Sequence, residues 1–61
     1  MERKYTVEVG GLQQQITVYP KSKAVWIAFG TYAGQRIEAK GRTESQALSN
    51  WRATALTTGH R

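Results

Sequence analysis

The side chains in this chain that are able to do chemistry are few, and their spacing does not favour catalysis. There is one histidine, His60, beside the C-terminus, no cysteine, and four acidic residues, all glutamates. Glu8 and Glu38 fall at solvent-facing positions of alternating strand patterns, and Glu44 falls in a first helical turn. No two carboxylates are therefore set for paired acid–base work. Thiolate metal sites are excluded without cysteine, and no other metal-ligand spacing occurs. Gly10-Gly11 and Gly30…Gly34 mark turns between strand patterns, not a loop ahead of a helix that would cradle phosphate. The expectation is a non-enzymatic protein with no catalytic residue, no cofactor, no metal and no small-molecule substrate.

Basic and aromatic residues remain. Nine Lys and Arg oppose the four glutamates, a net charge of +5. Such an excess on a small chain favours polyanionic partners, nucleic acid first. The plainer reading is that the charge only keeps the protein soluble. The 61 residues make one domain at most, spanning 1–61. A chain of this length buries only about 60% of its unfolded surface, so its stability is marginal. Without disulfides, oligomerisation is the available reinforcement. No apolar run is long enough to span a bilayer. The opening MERKYTVEVG lacks the apolar core of a secretory signal, so a cytoplasmic location is expected.

The elements that must position these residues follow from periodicity. Arg3–Val9 alternates Tyr5, Val7 and Val9 with polar residues, the pattern of a half-buried strand. Gly10-Gly11 predicts a tight hairpin with positive φ at both positions, pairing Val9 with Leu12, Val7 with Gln14 and Tyr5 with Ile16. The second strand, Leu12–Tyr19, ends at Pro20, which lacks a donor. Pro20–Lys23 then forms a four-residue loop, and the third strand, Ala24–Thr31, pairs Val18 with Val25 and Ile16 with Ile27. For the next hairpin a two-residue loop, Ala33-Gly34, sets Phe29 against Glu38. A three-residue loop, Tyr32–Gly34, sets Phe29 against Ile37 and Ile27 against Ala39. The second keeps apolar with apolar and is preferred, with Gly34 in the left-handed region. The fourth strand is Gln35–Lys40.

Gly41 breaks that strand. Thr43 caps a helix, Glu44–Thr57, with Gln46 completing a T-x-x-Q capping box, and Gly59 supplies a natural stop. Ala47, Leu48, Trp51 and Ala55 form the apolar stripe. The stripe is expected to cover Tyr5, Val7, Ile16, Val18, Val25, Ile27, Phe29 and Ile37, with Trp51 as the central plug. The opposite sheet face is left open. By these registers Lys4, Thr17, Trp26 and Lys40 share one row on it. Thr6, Gln15, Ala28 and Glu38 share the next, with Gly30 and Arg36 beyond and Tyr19 toward the Pro20 loop.

Two family resemblances are carried by these residues. Trp26, Gly34 and the helix pattern Thr43, Ala47, Trp51 resemble the arm-type DNA-binding domain at the N-terminus of tyrosine recombinases. That domain is a three-stranded sheet with one helix whose sheet enters the major groove. The resemblance covers about half the chain and implies a DNA-reading sheet. The catalytic domain of that family does not follow here, which implies a free-standing relative or a fragment. Gly41, Thr43, Ala47, Leu48 and Asn50, with Tyr5, Val7 and Val9, resemble HicB-like antitoxin domains, which are partly similar to the double-stranded-RNA-binding fold. The Pro- and Gly-rich segment of that family before its last strand is absent.

The expected fold is α+β: an antiparallel four-stranded meander with the C-terminal helix on one face. The expected function is nucleic-acid binding, DNA ahead of RNA, through the open sheet face and hairpin loops. The contact residues are Lys4, Thr17, Lys21, Lys23, Trp26, Arg36 and Lys40. Trp26 would meet sugar or base, and the cations would meet phosphates. The alternative is a homodimeric interaction module of HicB-like type, with the open face buried between subunits and Trp26 and Tyr19 as anchors. The run Gln13-Gln14-Gln15 suits either reading.

Overall fold

A computed structural model describes residues 2–59; His60, the lone histidine, lies outside the described residues. The order is β1 (Arg3–Val9), β2 (Leu12–Ser22), β3 (Val25–Tyr32), β4 (Gln35–Gly41) and α1 (Glu44–Gly59). The strands form one antiparallel sheet in the order β1-β2-β3-β4. The helix packs on one face, chiefly over β4 and β3. This is the α+β meander with one C-terminal helix that the periodicity predicts.

The first hairpin has the expected register. Val9 pairs with Leu12, Val7 with Gln14 and Tyr5 with Ile16. Gly10 and Gly11 both have positive φ, at 58° and 83°. That is the signature of a type I′ turn, whose twist matches the flanking strands.

The other two registers differ from expectation. The second strand does not stop at Pro20 but runs to Ser22, and the turn is Lys23-Ala24. Pro20 is tolerated because β1 pairs no further than Arg3 opposite Val18. Beyond that point β2 has a free side for a residue without an N–H. A bulge between Pro20 and Ser22 then adjusts the ladder. Val18 consequently faces Ala28, and Thr17 faces Phe29. Relative to the four-residue loop this is a slip of three residues, an odd number, which turns β3 over.

The third hairpin closes through two residues, not three. Phe29 pairs with Glu38 and Ala28 with Ala39. Gly34 has the expected positive φ, 78°, but Ala33 has one too, 55°. The pair therefore makes a second primed turn. Among the described residues Ala33 is the only non-glycine with positive φ.

The two corrections together choose which face of β3 meets the helix. Trp26, Ala28, Gly30 and Tyr32 lie on the helix side; Val25, Ile27 and Phe29 lie on the open side. The physical reason is volume. Trp51 is fully buried among Val9, Ile16, Val18, Ala28, Ile37, Ala39, Ala47 and Ala55. A Cβ on Gly30 would come within 2.6 Å of Ile16 Cδ1 and 3.3 Å of Trp51 Cζ2. Had Ile27 and Phe29 faced the helix, the indole would have had no seat. Close packing, more than matched hydrophobicity, selects the register.

Local chemistry seats the helix. The Gln46 N–H donates to Thr43 Oγ1 at 3.1 Å, and Gln46 Oε1 accepts from the Arg42 N–H at 3.2 Å. This is the capping box with its return bond one residue earlier than the usual form. A Cβ on Gly41 would overlap the backbone of Gln46 and Ala47, so the strand-to-helix corner requires glycine there. Asn50 Nδ2 donates to the Lys40 carbonyl at 2.6 Å, and Arg3 reaches Glu44 at 3.5 Å.

Two stability predictions follow from this packing. Trp51→Ala should destabilise the fold by about 3–5 kcal/mol, the range for a large aromatic removed from a core, read from chemical denaturation. Ala33→Gly should stabilise it by about 0.5–1 kcal/mol, because relief of left-handed strain exceeds the added backbone entropy of glycine. A lower denaturation midpoint for Ala33→Gly would contradict the two-residue turn.

Candidate functional site

The face away from the helix is built from three cross-strand rows. The central row is Lys4, Thr17, Phe29 and Glu38. Toward the Lys23-Ala24 turn lie Tyr19, Ile27 and Lys40. Toward the opposite end Thr6 pairs with Gln15, and Thr31 with Arg36. Of the expected contact residues, Lys4, Thr17, Arg36 and Lys40 share this face, and Lys4 pairs with Thr17 as anticipated. Lys21 and Lys23 lie at the bulge and turn at one end of the sheet.

Trp26 is the exception. It pairs with Pro20 and Gly41 and packs against the helix-side core, half-buried. The odd register slip removes it from the open face, along with Ala28 and Gly30. Trp26 therefore cannot share a row with Lys4, Thr17 and Lys40, and its place as the aromatic of that face passes to Phe29.

Phe29 sits at the centre of a small cluster. The Tyr19 ring meets it edge-on, with centroids 5.9 Å apart and planes at 70°. The Arg36 guanidinium lies over the ring, its Cζ 5.0 Å from the centroid. Both contacts have favourable electrostatics: a ring edge against a π face, and a cation against a π face. Ile27 beside them is only 2% exposed, although no helix covers this side. The face thus carries a second, thin apolar layer of Tyr19, Ile27 and Phe29.

Next to Phe29 the face dips into a shallow depression of about 400 Å³, lined by Gln15, Thr17, Phe29, Thr31 and Arg36, among others. Its floor offers uncharged donors and acceptors, one wall is aromatic, and one rim is cationic. Among the described residues Arg3–Glu44 is the only ion pair, so Arg36, Lys4, Lys40 and Glu38 are all unpaired on the open face. Among the described residues no cluster of three His, Cys, Asp or Glu is grouped to hold a metal ion. Among the described residues no helix is long and apolar enough to cross a membrane.

No family model matches this chain, and no curated protein or solved structure matches it significantly. The candidate site therefore stands on its own geometry. Phe29 and Thr31 are what the pairwise apolar matching misplaced or overlooked; Tyr19 lies on the open face as expected. The signal that could have found Phe29 is the small-residue phase of β3. Ala28 and Gly30 alternate in step with Ala39 and Gly41, marking the side where a bulky tryptophan must fit.

The Phe29–Arg36 contact is testable by stability alone. A double-mutant cycle with Phe29→Leu and Arg36→Ala should give a coupling of about 0.5–1 kcal/mol, the range for an exposed cation–π pair. Zero coupling in chemical denaturation would mean that the guanidinium is not held on the ring.

Proposed function

We propose that this is a small, cytoplasmic, non-enzymatic protein that binds nucleic acid, duplex DNA ahead of RNA, through the open face of its sheet. The observation that carries this reading is the composition of that face. Lys4, Arg36 and Lys40 share it, and Arg36 and Phe29 border a polar depression that Gln15, Thr17 and Thr31 line. Cations at the rim suit phosphates, and amide, hydroxyl and guanidinium groups inside suit base edges. Lys21 and Lys23 extend the cationic rim along the β2–β3 end. A β-ribbon is a known way to present such a face to the major groove. The arm-type resemblance points the same way.

The homodimer reading draws on the same surface and on the marginal size of the chain. Its natural anchors are now Tyr19, Ile27 and Phe29. Those residues already shield one another within one chain, with Ile27 almost fully covered. The face therefore has less apolar surface to gain from a second copy than an exposed tryptophan would have offered.

Titration of duplex DNA at several salt concentrations separates these readings. Log affinity should fall linearly with log salt, with a slope of roughly −0.9 per neutralised phosphate. Lys40→Ala should make the slope shallower by about one unit and weaken all sequences alike. A flat titration at low salt, together with a dimeric mass that Phe29→Ala converts to monomer, would replace this reading with the interaction module.

A further inference from the structure

We infer that Arg36 and Glu38, on the open face of β4, form a base-reading pair specific for G·C. This rests on the proposed binding of duplex DNA and adds to it the base pair recognised. Two features of the pair carry this inference.

The first is the posture of Arg36. An exposed guanidinium with no role beyond its charge usually reaches outward, free in water. Here it lies over the Phe29 ring, with its Cζ 5.0 Å from the centroid. The contact favours one placement of the guanidinium before any ligand arrives, so less rotamer freedom is lost on binding. The fork borders the depression that Gln15, Thr17 and Thr31 line. A planar, pre-set pair of donors matches the O6 and N7 acceptors on the major-groove edge of guanine.

The second feature is Glu38. It pairs with Phe29 and is exposed between Arg36 and Lys40 on the same strand face, yet among the described residues it forms no ion pair with either. A carboxylate on a surface that meets only phosphates weakens binding by repulsion. On a surface that meets base edges it has a partner, because the N4 amino group of cytosine is a donor in the major groove. Arg36 and Glu38 leave the same strand face two residues apart, roughly 7 Å along the strand, close enough to address one base pair or its neighbour. The arginine supplies donors to guanine and the glutamate an acceptor to cytosine. Lys4 and Lys40 remain for the backbone.

The test uses the full chain and three 16-base-pair duplexes: all G·C, all A·T, and the G·C duplex with 7-deazaguanine, which lacks the N7 acceptor. The wild type should prefer the G·C duplex over the A·T duplex by roughly fivefold to a hundredfold, the range for one good bidentate contact. The 7-deaza duplex should lose most of that preference. Arg36→Lys keeps the charge but not the fork, so it should abolish the preference and leave the salt slope unchanged. Glu38→Gln should reduce the preference and leave affinity for A·T intact or raised. Circular dichroism confirms that each variant is folded. Binding with no G·C preference, or a preference that survives Arg36→Lys, would overturn the base-reading role while DNA binding stands. Absence of binding to every duplex at low salt would overturn the DNA reading itself.

Discussion

Trp51 enters the sheet with no exposed surface and donates its indole N–H to the Ile37 carbonyl, 2.9 Å away. A buried tryptophan makes two demands at once: room for its ring and a partner for its donor. The room comes from the small side chains beneath and beside it, Ala28, Gly30 and Ala39 on the sheet and Ala47 and Ala55 on the helix. The partner comes from β4. A sheet that satisfies both has little freedom in how β3 and β4 register, because a slip of one residue would bring Phe29 or Ile27 into the space that the indole occupies. One side chain of the helix thus governs the strand pairing two elements upstream.

The same helix completes the edge of the sheet. β4 is an outer strand, and an outer strand presents backbone groups that no neighbouring strand pairs. Asn50 donates to its outward carbonyl at Lys40, while Trp51 donates to Ile37 from the core side. The approach is close because Gly41 has no side chain where the first turn of the helix arrives. Thr43 and Gln46 satisfy the opening amides of that turn and its approach. Arg3 extends from the far edge strand to Glu44, an exposed pair that contributes little energy but joins the first and last elements. Strand end, corner and helix start therefore act as one unit.

The consequence for the other face is direct. Small residues on the helix side of β3 mean large ones on the open side. Ile27 and Phe29, which would have served as core, instead build a thin second layer with Tyr19. In a chain of 61 residues that layer adds burial a single-sided core could not supply. It also gives Arg36 a ring to lie on and gives the polar groups around it a firm base. The aromatic and cationic cluster of this face thus originates in the packing requirement of the opposite one.

Much of this was legible in the sequence by itself. Alternation in Arg3–Val9, the Gly10-Gly11 turn, the Thr43 cap and the Ala47-Trp51-Ala55 stripe determined four strands, one helix and the register of the first hairpin. These are local signals, carried by residues a few positions apart. The excess of Lys and Arg, and the presence of Lys4, Thr17, Arg36 and Lys40 on a common open face, were likewise readable from alternation. The tertiary structure alone decided the faces of β3. There the strand is apolar on both sides, so alternation carries no preference, and matching apolar with apolar favours the wrong phase. What breaks the tie is the volume of Trp51, a residue more than 20 positions away whose demand for space exists only once the helix has folded back onto the sheet. Trp26 and Phe29 exchanged faces for that reason, and with them the identity of the aromatic at the candidate site.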